Sequence, residues 1–429
     1  MAVVLSILLL CVLLLFGVPF WVAMGLGTVT MLASTGVLPL TLVGEALFDG
    51  VDSFALIAIP LFILTGDAMV RSGLGVKLLN FAEASFGSFR SGFGTSTVMG
   101  CGLFSCISGS DAADAAAVGR LTMDRLVEKG YPKAYACALV ASGACTGILI
   151  PPSIAYIILG LVLGISSATL FQAAFVPGVM VLLAVMLTNA IVNRVRGYER
   201  SIGCFDFARW RAALWDAKWE MLLPVVIVGA LFSGFATTVE ASAIGALYAF
   251  FTQVVIHRDL KIGRDIGRVA AECSSTVGGV LLILGVAVGL TSWMIDADVP
   301  GRLLELTQQY IHSQWTFLLA LNLFLLVVGM LMDIFSATFV VAPLLVPLGL
   351  AYEVHPVHLG IIFIANLELG YLTPPVGLNL FLSSYRFRKP LLEVAAASFP
   401  MLLVLGFGVL VITYVPWLTT GLLAWMGRI

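Results

Sequence analysis

The sequence predicts an all-α polytopic membrane protein with about ten transmembrane crossings, two re-entrant helical hairpins and an inverted-topology internal repeat. Three observations predict it. Of 429 residues, 60% are hydrophobic and only 11% are charged, against about a quarter charged in soluble domains. Apolar runs of about 20 residues, enough to cross a bilayer, recur along the whole chain. A Pro-Pro motif also occurs twice in matching surroundings.

The crossings fall at about 2–17, 19–36, 54–71, 134–165, 168–195, 220–236, 239–257, 276–295, 357–386 and 394–419. The re-entrant segments fall at about 92–127 and 316–349. Lysine and arginine set the orientation, because cytoplasmic loops retain them. Loops 71–90, 120–133, 194–218, 258–268 and 386–389 hold all the positive residues except Arg302 and Arg428. Loops 71–90 and 120–133 are both basic, so segment 92–127 starts and finishes in the cytoplasm. Loops 296–315 and 350–357 are both poor in positive charge, so segment 316–349 starts and finishes outside. This places the chain in a bacterial inner membrane with both termini periplasmic. The N-terminus is apolar from Ala2 and lacks a basic region, so no cleaved signal peptide is expected.

The stretch 201–220 reads differently. Trp210, Trp215 and Trp219 alternate with Arg209, Arg211 and Lys218, the pattern of an amphipathic helix lying in the cytoplasmic interface. It divides the chain into repeats 1–200 and 221–429. Residues 147–152 read G-I-L-I-P-P and residues 370–375 read G-Y-L-T-P-P. Each Pro-Pro sits in a long crossing that follows a re-entrant segment, and the two segments open from opposite sides. The halves are therefore related by inversion, a common transporter plan.

A proline in a crossing lacks an N–H and clashes with the preceding turn, so the helix breaks. In lipid each freed carbonyl would cost several kcal/mol unless protein, ions or water satisfied it. One Pro-Pro could be a packing kink satisfied by neighbouring helices. Two at symmetric positions point to half-helix ends facing a polar cavity near the midplane.

The first hairpin turns at Ser105–Asp114. Ser110 or Asp111 can cap its second arm, and the free N–H groups there suit an anion such as a carboxylate. The carbonyl end near Ser108 suits a cation. Asp111 and Asp114 sit at membrane depth, where carboxylates are functional by default; Asp114 alternatively complements the helix dipole. The second hairpin turns near Gly329–Thr338, where Asp333 or Ser336 can cap the second arm. Glu368, just before the second break, is either a proton or ion ligand or a buried structural carboxyl.

No H-E-x-x-H, G-x-x-x-x-G-K-[ST] or G-x-S-x-G motif occurs, so neither an enzyme nor a nucleotide-driven pump is expected. No cofactor is expected. The cysteines have no C-x-x-C spacing and read as packing residues. Transport is then passive or driven by ion gradients.

The stretches CGLFSCISGSDAADAAAVG, KGYPKAYACALVASGACTGILIPPSIAYIILG and HPVHLGIIFIANLELGYLTPPVGLNLFL resemble the large membrane subunit, the dicarboxylate M type, of tripartite ATP-independent periplasmic (TRAP) transporters. The likeness covers nearly the whole chain. It implies a small four-helix membrane subunit, a periplasmic substrate-binding protein and sodium-coupled uptake of an organic acid. It also implies a transport domain that moves as an elevator against a scaffold. Sodium ligands would come from Ser108, Gly109 and Ser110 with Thr146, Gly147 and Pro151. A second set would come from Asp333 and Ser336 with Gly370, Thr373 and Pro375. The substrate would meet Ser110, Asp111, Asp114, Pro152, Ser153, Thr338 and Pro374. The family pattern Asp-Pro-Thr-Ala at the second hairpin is here Asp333-Ile334-Phe335-Ser336. Competing expectations are a stand-alone sodium- or proton-coupled anion symporter of a related inverted-repeat fold, a channel, and a membrane enzyme. Uptake by this chain alone would favour the first.

Overall fold

The computed structural model describes residues 20–35, 50–71, 73–199, 205–261, 263–296 and 298–428, with isolated positions before residue 50. The expected crossing at 2–17, and Arg200 in the basic loop, lie outside these residues. Among the described residues there is no strand.

Helix α1 is Phe20–Thr35, and α2 (Ala58–Arg71) follows a short 3-10 turn, Phe54–Ile57. The basic stretch 71–90, expected as a loop, contains α3, Leu74–Phe86. The first hairpin pairs α4 (Gly92–Ser108) with α5 (Asp111–Glu128). The first broken helix is α6 (Lys133–Ile148) and α7 (Ile154–Leu163), followed by α8, Ser167–Arg196. The short helix α9, Phe207–Asp216, leads into α10 (Lys218–Phe232) and α11 (Thr238–Phe251), which ends in a π turn, Thr252–Ile256.

Helix α12 runs Arg264–Asp296 and starts twelve residues before the expected crossing, because the polar residues 264–275 also suit a helix. The expected loop 296–315 contains α13, Val299–Tyr310, which buries no residue. The second hairpin pairs α14 (Gln314–Leu331) with α15 (Ile334–Ala351). The second broken helix is α16 (Pro356–Gly370) and α17 (Leu378–Phe387). The last expected crossing, 394–419, is two helices: α18 (Leu391–Tyr414) and α19 (Trp417–Trp425). Pro416 supplies no N–H and separates them.

Seven of the described helices are long and apolar enough to cross a membrane. The half-helices α7 and α16 are apolar but shorter. The small residues of α4 and α6 explain their close packing: a Cβ at Gly143 would lie 3.1 Å from Cys101 Sγ and 3.4 Å from Val98 Cα. Membrane helices associate through such small faces, since lipid gives them no hydrophobic drive.

The halves interlock rather than sit side by side. Helix α6 packs on α17 and α18, α7 on α15, and α8 on α16, α18 and α19. Helices α1, α2 and α11 gather with α12 at one flank. Helix α9 lies on α3: Trp210 Nε1 donates to Ser85 Oγ at 3.1 Å, and the Arg209 and Arg125 guanidinium groups lie 3.5 and 2.7 Å from the Glu83 carboxylate. Helix α9 covers Phe207–Asp216 of the expected 201–220 segment, of which 201–204 lie outside the described residues, and it leaves Phe207 and Trp215 exposed. The entrance to α4 is held from the following loop, where buried Glu199 accepts from Phe93 N and Tyr131 Oη.

Candidate functional site

Each hairpin tip meets the break of the broken helix that follows it. In the first, Gly109 takes φ +62°, a conformation open to glycine at little cost. It turns the chain out of α4 and donates its N–H to Ser105 O at 2.9 Å. A Cβ there would lie 3.4 Å from the Pro152 carbonyl and 3.5 Å from Ile154 N, so the tip rests on the break. Break residues Leu149, Ile150, Pro151, Pro152 and Ser153 are all buried. Beside them the Thr146 hydroxyl donates to Gly143 O at 2.7 Å, leaving lone pairs free to accept.

Ser110 is the N-cap of α5 by position, but its side chain does not cap. Asp111 Oδ1 instead accepts from Ala112 N at 2.8 Å. The Ser108 hydroxyl donates to Asp114 Oδ1. Asp111 Oδ2, Asp114 Oδ2, Ser105 Oγ and Ser153 Oγ are buried and have no hydrogen-bond partner.

At the second tip, Asp333 accepts from Phe335 N and Ser336 N, each at 3.0 Å, and from the Ser336 hydroxyl. It is the capping aspartate expected at that position. Ile334 N donates to the Tyr371 hydroxyl in the break, and Gly377 N donates to Met330 O at 3.4 Å. The Thr373 hydroxyl donates to Leu369 O and the Thr338 hydroxyl to Ile334 O. Pro374 is partly buried and Pro375 is exposed.

The two units make matching close approaches. A Cβ on Gly147 would lie 2.5 Å from Ser105 Oγ in the first hairpin; one on Gly370, 223 positions later, would lie 2.5 Å from the Gly329 carbonyl carbon in the second. The N-caps Ser110 and Asp333 are separated by the same 223 positions. Two glycines thus let each break touch its own hairpin.

The two tip–break units lie close together: Asp333 of the second hairpin acts electrostatically on Asp111 of the first, and Asp111 and Asp114 act on Glu368. Among the described residues no ion pair involves Asp111, Asp114 or Glu368. Both Glu368 oxygens, Tyr156 Oη and Asn379 Oδ1 are buried without a hydrogen-bond partner. Asn379 Nδ2 donates to Cys145 Sγ at 3.0 Å, and Cys145 and Glu368 line one small cavity.

Cys145, Tyr156 and Asn379 were not singled out from the sequence. The 223-residue offset holds the signal: it pairs Glu368 with Cys145 and Asn379 with Tyr156. No cluster of three or more His, Cys, Asp or Glu among the described residues could hold a metal. The donors that converge are carbonyl and hydroxyl oxygens with single carboxylates, a set suited to hard cations.

Residues 7–418 match the model of the family described as "Tripartite ATP-independent periplasmic transporter, DctM component". The chain belongs to that family. It is 35% identical to the C4-dicarboxylate TRAP transporter large permease protein DctM of Rhodobacter capsulatus, over 95% of this chain and 96% of that protein. It is 32% identical to the isethionate TRAP transporter permease protein DctMQ of Oleidesulfovibrio alaskensis, over 94% of this chain; the chain spans 63% of that protein's length. The crystal structure of the Alcanivorax borkumensis YdaH transporter superposes with a TM-score of 0.64 at 13% identity, covering 95% of this chain and 98% of that one. That likeness concerns the fold. A large permease of a TRAP transporter is a multi-pass membrane protein, and the apolar helices agree with it.

Proposed function

We propose that the chain is the translocating subunit of a sodium-coupled, binding-protein-dependent secondary transporter that imports an organic acid by an elevator movement. Relatives named for C4-dicarboxylate, isethionate and sialic acid support an anionic organic substrate. The family description supports a three-part system, with a small four-helix membrane subunit and a periplasmic binding protein beside this chain.

One observation carries the reading: two hairpin tips press on two Pro-Pro breaks near buried carboxylates that join no ion pair among the described residues. Burying a carboxylate without a partner is costly. An organic anion entering such a place adds to the cost unless cations enter with it. Sodium fits that role, held by Ser108, Gly109 and Ser110 with Thr146, Gly147 and Pro151. A second ion would lie among Asp333, Ser336, Gly370, Thr373 and Pro375. The substrate carboxylate would then face the N-terminal ends of α5, α7 and α15, near Ser110, Asp111, Asp114, Pro152, Ser153, Thr338 and Pro374. Each net positive charge carried inward gains about 2.3 kcal/mol per 100 mV.

The arms of the second hairpin are 18 residues each, or about 27 Å at 1.5 Å per residue, so length alone would let them cross. Re-entry rests on the tips. Gly109 meets Pro152 inside the broken helix, and the basic residues bracket the first hairpin on one side. The same charge pattern supports an inner-membrane location with periplasmic termini.

Uptake into proteoliposomes holding this chain with its partner proteins tests the function. We expect uptake in sodium buffer and almost none in choline buffer. Equal uptake in the two refutes sodium coupling, and full uptake without the binding protein points to a stand-alone symporter.

A further inference from the structure

Away from the candidate site, a cavity of about 620 Å³ opens between α7, α12, α13 and α15. It falls within the 300–1,000 Å³ of small-molecule sites. Its body is apolar, lined by Leu161 of α7, Leu284, Ala287 and Val288 of α12, and Phe339 and Val346 of α15. On both α12 and α15 it extends over nine residues, Leu284–Ser292 and Phe339–Pro347, about 12 Å along each helix. Its polar lining residues are Ser53 before the 3-10 turn, Thr291 and Ser292 near the end of α12, and Asp298 at the N-cap of α13.

The lining is therefore amphiphilic, with a polar end and an apolar body. Asp298 and Arg302 are exposed at that end, one helical turn apart, and no ion pair joins them among the described residues. Residues at i and i+4 share a helix face, so this face offers one negative and one positive group together. A dry void of this size forfeits dispersion contacts along its whole lining, and water has too few polar partners in the apolar body.

We propose that this cavity is a lipid site that takes one acyl chain of a phosphatidylethanolamine-type lipid. The headgroup ammonium lies on Asp298 and the phosphate toward Arg302. The zwitterionic pair matches the two opposed charges, whereas a phosphatidylglycerol headgroup offers the Asp298 carboxylate only neutral hydroxyl donors and no positive charge. The chain then lies between α12 and the helices α7 and α15, which carry a break and a tip. One polar link already spans the floor there: Pro343 removes the N–H that would bond the Phe339 carbonyl, and that carbonyl accepts from Thr291 of α12 at 3.3 Å. The bound chain fills the rest of this seam. The inference stands on the membrane placement of the chain and not on sodium coupling.

Native mass spectrometry of the protein released from nanodiscs of mixed phosphatidylethanolamine and phosphatidylglycerol tests it. One phosphatidylethanolamine per chain should be retained in preference to phosphatidylglycerol, by up to about fivefold, the scale of one exposed charge contact. The surface substitution Asp298→Asn should erase that preference while lipid is still bound. Val346→Trp, which fills the cavity body, should expel the lipid. Equal retention of the two lipids by the unmodified protein, or no retained lipid at all, overturns the proposal. So does an unchanged preference in Asp298→Asn, which decides the matter even where Val346→Trp fails to fold.

Discussion

The two hairpin tips follow one backbone plan and differ in what surrounds them. The first is enclosed. Its break is buried throughout, and a Cβ on Gly66 of α2 would lie 3.0 Å from Ser108 Cα, so α2 closes that side. The second is open: Leu331 is 59% and Val376 44% exposed, and Pro375 is exposed between them. The carboxylates differ accordingly. Asp333 uses its oxygens on its own helix end, while Asp111 and Asp114 each keep a buried oxygen with no partner. A self-satisfied tip tolerates water at its side. On the proposed sodium-coupled reading, unmet acceptors in an enclosed place call for a cation, so the first tip would be the tighter ion site and the second the more open one.

Substitutions that weigh one tip against the other break or sharpen this comparison. The largest effect is expected from Gly370→Ala. Its new Cβ meets the backbone of Gly329, which cannot rotate aside, and overpacking of this kind costs about 1–3 kcal/mol. If that cost falls on the transport-competent state, uptake should drop by roughly fivefold to 150-fold. Gly147→Ala meets the Ser105 side chain instead, its Cβ and Oγ each at 2.5 Å, so the loss should recover in the double variant with Ser105→Gly, which removes both atoms. Equal, unrescued losses would mean that the two crossings are packed alike.

Next come the acids. Asp114→Asn should raise the sodium concentration for half-maximal uptake by about tenfold or more while thermal stability barely moves, since one charge-assisted ligand is worth roughly 1.5–3 kcal/mol. Asp333→Ala should chiefly lower thermal stability, by about 1 kcal/mol for a lost cap. The reverse pattern would assign the tighter site to the second hairpin.

The smallest effect concerns the anchor of the first hairpin. Burial raises the Glu199 carboxyl above its ordinary value of 4.5, against the lowering by the Phe93 N–H and the Tyr131 hydroxyl. The folded protein therefore prefers the protonated acid. The stability this group contributes is complete below 4.5 and is lost as pH rises through the raised value. Melting temperature should climb as pH is lowered from neutrality toward that range, and Glu199→Gln should flatten the climb. An identical slope in both proteins would remove Glu199 from the account.

Much of this architecture was legible in the chain. Pro151–Pro152 and Pro374–Pro375 mark the breaks because a missing N–H has one consequence in any helix. Gly109 and Asp333 mark the turns because one tolerates positive φ and the other accepts two N–H groups. Other features were hidden by composition. Helix α3 carries Lys77 and follows Arg71, so charge alone suggested a loop. Helix α13 buries nothing and shows no core pattern. The run through 394–419 is apolar enough to hide that Pro416 divides it. Three-dimensional meetings, such as Tyr371 with Ile334 or Asn379 with Cys145, join residues 37 and 234 positions apart. No local pattern encodes them.

Cys145 and Glu368 hold the same place in the two halves, yet they line one cavity together. On the proposed inverted-repeat reading, the two positions face each other across the axis that relates the halves. Two carboxyls there would have to share one proton. A thiol opposite Glu368 leaves that acid without a second carboxyl to share one with.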